Sequence, residues 1–155
     1  MSDPVRILAV CLGNICRSPT AEAAIREAAA ARGMAVEVDS AGTGSWHVGE
    51  PPDARMRQAA TGLGLIIEGT ARQVCSSDFD DFDLIVAMDR RNLEDLLEIA
   101  PAHAVDRIRL FRSFDPEASA PDVPDPYYGG DQGFVDVVAM VRAAADGLIA
   151  SLDGE

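Results

Sequence analysis

Apolar residues fall along this chain in two alternating kinds of run. VRILAV, residues 5–10, is an unbroken apolar stretch with the length and β-branching of a strand buried on both faces. From Pro19 the pattern TAEAAIREAAAARG turns helical, with Pro19 early in the first turn and Gly33 as its stop. AVEVDSAG, 35–42, reads as a second strand, TGSWHVGEPP as a loop, and DARMRQAATGLG as a helix opened by Asp53. LIVAMD, 84–89, repeats the first pattern: an apolar strand ends in a polar residue, and the helix RRNLEDLLEIA follows. After Pro101, DRIRLF is a short strand. The stretch SFDPEASAPDVPDPYYGGDQG is a long loop by its proline, aspartate and glycine, and a last helix runs from about Gly133.

Strands alternating with helices imply βαβ units and a parallel sheet, an α/β architecture. Nothing in the pattern divides the chain, so residues 1–155 read as one domain. Ligands of such sheets bind beyond the carboxyl ends of the strands. Cys11, Ser40 and Asp89 all stand at or just past strand ends, so the pattern puts them on one edge.

Composition narrows the chemistry at that edge. The net charge is −13, which opposes binding to nucleic acid or an anionic membrane. An anionic ligand must then be caught by a local positive site. All 13 basic residues are arginine, which excludes a phosphate-binding or Schiff-base lysine. The three cysteines, Cys11, Cys16 and Cys75, are an odd number, and no secretory segment follows Met1. Free thiols in a reducing cytoplasm are the expectation. No CxxC pair or histidine cluster suggests a metal, and no cofactor is implied.

One segment meets the need for a positive site. Cys11-Leu12-Gly13-Asn14-Ile15-Cys16-Arg17-Ser18 links the first strand to the first helix. Backbone N–H groups in such a turn form an anion nest, and the helix dipole adds to it. Gly13 and Asn14 are types that accept left-handed conformations. Arg17 supplies a planar fork for two phosphoryl oxygens. A field of this kind stabilises a thiolate, the form of Cys11 that would attack phosphorus. Ser18 is close enough in sequence to donate a hydrogen bond to that sulfur. The simpler alternative is two ordinary buried thiols beside a surface arginine.

Ester cleavage also needs an acid, and the long loop offers Asp115, Asp122 and Asp125. Asp115 and Asp125 precede proline, which holds them extended. Asp125 alone is followed by Tyr127 and Tyr128, an aromatic wall suited to an aryl leaving group. Asp125-Pro126 is equally well read as a turn initiator.

CLGNICRSPTAE near the start, DPYYGG late in the chain, and SAGTGSWHVGEPPDARM, MDRRN and LFRSFDP between them resemble the low-molecular-weight protein tyrosine phosphatases over essentially the whole chain. The resemblance implies a single domain with a four-stranded parallel sheet and helices on both faces. It implies hydrolysis of protein phosphotyrosine and small aryl phosphates through a phosphocysteine. Cys11 would be the nucleophile, Arg17 the phosphate clamp and Asp125 the general acid, then base. Asn14, Ser18, Ser40 and Asp89 would support the loop. Ile15, Trp46, Tyr127 and Tyr128 would rim the substrate. Cys16 would be either a packing residue or a redox partner that protects Cys11. His47 reads as a structural or rim residue and His103 as a surface one.

Three rivals share the loop. Arsenate reductases need two further cysteines on a mobile segment, where this chain has only Cys75, better read as a core thiol. Protein arginine phosphatases carry threonine where this loop has Ile15. A non-enzymatic phosphate-binding module would be expected to lose Cys11 or Asp125.

Overall fold

The computed structural model describes residues 3–126 and 130–154. Four strands, β1 (Val5–Cys11), β2 (Val36–Gly42), β3 (Leu84–Ala87) and β4 (Ile108–Leu110), form one parallel sheet in the order β2-β1-β3-β4. Five α-helices accompany them: α1 (Arg17–Ala31), α2 (Ala54–Gly62), α3 (Asp78–Asp81), α4 (Arg90–Ile99) and α5 (Asp131–Leu152).

The unbroken apolar run of β1 is explained by its central place. Ile7, Ala9 and Cys11 point into a core shared with α1, α2 and α5, whereas Leu8 and Val10 point into a second core with Phe79, Phe82, Leu96 and Ala104. Helices thus cover both faces of the sheet. Each fully buried Ile or Leu contributes about 1.5–3 kcal/mol.

The chain leaves β1 to form β2 on one side, then returns to place β3 on the other. The two connections diverge at the carboxyl ends of β1 and β3, opening a crevice where doubly wound sheets bind ligands. Cys11 ends β1, and Asp89 begins the turn into α4.

Local signals set most element ends. Gly33, at φ 65°, closes α1: its own N–H reaches the Ala30 carbonyl and that of Met34 reaches Ala29. Asp53 caps α2 by accepting from the N–H groups of Arg55 and Met56. Other ends depart from the sequence pattern. The helix expected from Pro19 begins at Arg17, because Pro19 fits a first turn where no N–H donor is needed. The strand expected over DRIRLF is confined to Ile108–Leu110, between 3₁₀ turns at Ala102–Arg107 and Phe111–Phe114. α3 carries no apolar periodicity and was not legible.

Cys75 is exposed, not a core thiol as expected. Val74, whose N–H pairs with Gly42, takes the inward position, so the next side chain faces out, 3.2 Å from the Ser77 hydroxyl.

The second 3₁₀ turn packs closely on α5. A Cβ on Gly147 would lie 1.9 Å from the Phe114 carbonyl oxygen, whereas one on Gly62 would meet nothing. Gly147→Ala should therefore cost about 1–3 kcal/mol in denaturant unfolding. Gly62→Ala should be neutral or stabilising by up to about 1 kcal/mol. Equal midpoints for the two variants would contradict this packing.

Candidate active site

Residues 12–16 bridge β1 and α1 in a tight loop. The Cys11 carbonyl accepts from Thr43 N–H, that of Leu12 from Gly44, that of Ile15 from Asp53, and that of Cys16 from both the N–H and the hydroxyl of Thr20. In a trans peptide the N–H points opposite to its C=O. Carbonyls turned outward therefore leave the amides of Leu12, Gly13, Cys16 and Arg17 directed to the inner side, as an anion nest requires. The amide of Asn14 donates to Cys11 Sγ at 3.2 Å.

Asn14 is the left-handed residue of the loop, at φ 57°. Gly13 does not share that conformation. Its lack of a Cβ serves space instead, since one would lie 3.0 Å from the His47 ring. Gly42 is also needed bare, because a Cβ there would press to 2.7 Å from the Leu12 carbonyl.

The Asn14 side chain holds this conformation from both ends. Its Nδ2 donates to Ser18 Oγ at 2.8 Å and to Ser40 Oγ at 2.9 Å. Its Oδ1 accepts from the Arg72 N–H at 3.0 Å. The Ser40 hydroxyl donates to Glu22 Oε1 at 2.7 Å. Ser18 already accepts from Asn14, and its oxygen lies 3.0 Å from Cys11 Sγ but 3.5 Å from the Ala41 carbonyl. The closer, better-placed acceptor for its hydroxyl proton is the sulfur. Burial pushes the Glu22 carboxyl above its usual range, outweighing Ser40 and Arg26.

Arg17 is buried, 3 % exposed, at the start of α1. Its Nη1 donates to Asp89 Oδ2 at 2.6 Å and to the Val123 carbonyl at 3.0 Å. Its Nη2 lies 3.7 Å from Asp125 Oδ2. Burial works against the guanidinium's charge, but Cys11, Asp89 and Asp125 outweigh it and hold its pKa above the ordinary value. Asp89 serves twice, since its Oδ1 also caps α4 by accepting from the Asn92 N–H at 2.7 Å.

These groups meet at a crevice of about 450 Å³. Cys11, Cys16 and Arg17 line it, together with Ile15, Trp46, His47 and Asp125. Trp46 is 72 % exposed, a wall residue and not a core aromatic. Burial, followed by the charges of Asp53 and Cys11, pushes the Cys16 thiol up.

Of the three candidate acids only Asp125 reaches the crevice. Asp122 is gripped by Arg90, and Asp115 accepts from Glu117 N–H in a separate turn. Tyr127 and Tyr128 lie outside the described residues. His103 pairs with Asp80 at the surface. Sequence reasoning missed Arg72 and Glu22, which brace Asn14 and Ser40. Arg72 lies 58 positions from Asn14, and only tertiary structure reveals that contact.

The family model for low molecular weight phosphotyrosine protein phosphatases matches residues 6–155. A low molecular weight protein-tyrosine-phosphatase of Streptomyces coelicolor is 45 % identical over 152 residues, covering 95 % of this chain and 93 % of its own. Among solved structures, a protein tyrosine phosphatase from Entamoeba histolytica with Hepes in its active site superposes with a TM-score of 0.94 at 40 % identity, covering 96 % and 97 % of the two chains. A Drosophila arginine phosphatase superposes at 0.89 and 32 % identity, covering 96 % and 98 %. With the family model spanning nearly its whole length and relatives this similar, the chain belongs to the low molecular weight phosphotyrosine protein phosphatase family.

Proposed function

We propose that this protein hydrolyses phosphotyrosine in protein substrates, and small aryl phosphates, through a phosphocysteine intermediate. One observation carries the reading: Cys11, Arg17 and Asp125 converge on a single crevice whose floor is a nest of inward amides. The phosphoryl oxygens sit among those amides and on the Arg17 guanidinium. Asp89 and Val123 fix Arg17 Nη1, leaving its other donors for phosphate. The Cys11 thiolate attacks phosphorus as the P–O bond to the phenol breaks, and Asp125 gives its proton to the departing oxygen. Asp125, now a carboxylate, takes a proton from water. The water attacks the phosphocysteine, releasing phosphate and returning Cys11 as a thiolate that Ser18 and the Asn14 amide stabilise.

The wall favours an aryl ester over a phosphoguanidinium. Ile15 is branched and apolar and lines the crevice with Trp46, whereas a hydroxyl at that position would suit an arginine substrate. The three thiols, none in a disulfide, suit the reducing cytoplasm, to which we assign the protein. Cys16 is read as a redox partner: peroxide oxidises the Cys11 thiolate to a sulfenic acid, the Cys16 thiol displaces water to give a disulfide, and added thiol reduces it.

Phosphotyrosine, phosphoarginine and phosphoserine peptides assayed together should release phosphate from the first alone, with Cys11→Ser inactive on all three. Preference for phosphoarginine would shift the assignment to the arginine branch. Residual turnover in Cys11→Ser would reject the nucleophile.

Asp125→Ala should lose about 10²–10⁴-fold on esters of poorly acidic phenols and far less on activated ones. Equal losses on both would remove its role as acid.

After brief peroxide treatment, wild type should regain activity with added thiol, and Cys16→Ser should regain less. Equal recovery would leave Cys16 as a packing residue.

A further inference from the structure

Asp125 is half exposed, yet the segment just before it is tied down at successive points. The Asp122 carboxylate accepts from the Arg90 N–H at 3.0 Å, from Arg90 Nε at 3.2 Å and from its Nη2 at 3.3 Å. The Asp122 carbonyl accepts from Arg112 Nη1 at 2.9 Å. Arg112 is 8 % exposed, so that donor is fixed by its surroundings. Val123, fully buried, donates its N–H to the Met88 carbonyl at 2.7 Å and accepts from Arg17 at 3.0 Å.

The lever from these ties to the acid is short and stiff. Asp122 to Asp125 spans at most about 10 Å of chain. Pro124 and Pro126 flank Asp125 and restrict the torsions on either side of it. Asp122 and the anchored Val123 together therefore fix the course on which the chain enters Asp125. Arg90 directly follows Asp89, the partner of the Arg17 clamp. Two neighbouring residues at the start of α4 thus hold the phosphate clamp and the acid-bearing loop in register.

We propose that Arg90 and Asp122, with Arg112 on the Asp122 carbonyl, are positioning residues that set where Asp125 stands relative to Arg17 and the leaving group. The inference rests on Asp125 being the general acid. Arg90 is 67 % exposed in its side chain, and exposed ion pairs add little to stability. Its three bonds to one carboxylate are an orienting device more than a stabilising one.

The grip also suits acid conditions. Burial opposes the Asp122 carboxylate, but the hydrogen bonds and charge of Arg90 outweigh it and hold its pKa below the ordinary value. A lowered folded value means the ion pair is present above the ordinary carboxylate range, about 3.9, and is lost only as pH falls through the lowered value. It therefore persists at mildly acidic pH.

The test compares kcat/KM on phenyl phosphate, a poor leaving group, with that on para-nitrophenyl phosphate. Arg90→Ala should lose about tenfold on the first and about twofold or less on the second, within the hundredfold that a small misplacement can cost. Asp122→Asn, which keeps an acceptor for the Arg90 N–H, should show the same selectivity more weakly and serves if Arg90→Ala does not fold. Placed in an Asp125→Ala background, Arg90→Ala should cost nothing further on phenyl phosphate. Equal losses on both esters, no loss on either, or an undiminished loss in that background would overturn the proposal. The Asp125→Ala single variant separates the two layers. If it loses phenyl phosphate turnover while Arg90→Ala does not, the acid assignment stands and the positioning role falls. If it spares phenyl phosphate, the acid assignment fails first and takes this proposal with it.

Discussion

Burying the guanidinium of Arg17 is the constraint around which the site is organised. A cation 3 % exposed is tolerable only when paired and hydrogen-bonded, and its partners come from distant parts of the chain. Asp89 arrives from the end of β3 and Val123 from the loop before α5, 72 and 106 positions away respectively. Satisfying one charge therefore joins the loop after β1, the start of α4 and the segment that carries Asp125 into one unit. Because Asp89 spends its other oxygen capping α4, the pairing is also coupled to the placement of that helix. An arginine on the surface would require none of this, and would hold a phosphate less rigidly.

The second requirement is to keep the loop in a shape that an ordinary side chain resists. Asn14 stands at positive φ, and its amide satisfies three neighbours at once, so the local cost is offset by bonds available only there. Those bonds also dictate proton direction. Asn14 donates to both serines, so Ser40 turns its hydrogen to Glu22, and Ser18 has its hydrogen free for the sulfur. The orientation of the Ser18 hydroxyl is thus set by the Asn14 side chain. Arg72, which caps the Asn14 oxygen through its backbone, spends its side chain on Asp39 and the buried Asp78. The loop is braced from the second core as well as the first.

What could be read beforehand follows from the range of the interactions. β1, α1, β2, α2, β3 and α4 were legible because hydrophobic period, Asp53 and Gly33 act within a few residues of themselves. Cys11, Arg17 and Ser18 were legible because eight consecutive residues hold them. Asp125 was ambiguous among three aspartates, and long-range ties of the preceding segment, among them the Val123 N–H to the Met88 carbonyl and the Arg17 side chain to the Val123 carbonyl, bring that one to the crevice. Cys75 was misjudged because burial there is decided by the bridge between Gly42 and Gln73, a pairing without local sign. The 3₁₀ turns beside β4 were missed for a related reason: the first is tied to α3 through His103–Asp80 and Arg107–Phe79, the second packs on α5, and neither has a period of its own.

The charge balance gains meaning once these pairings are seen. A chain of net charge −13 must draw an anion to its surface against its own field. Arg72, Arg90 and Arg142 are each engaged by carboxylates. Positive potential is instead supplied by backbone amides and the start of α1, which no surrounding carboxylate can titrate away, and by one guanidinium held between Asp89 and Asp125. Selectivity for an isolated phosphate on an aromatic stem follows from the field as much as from the shape of the wall.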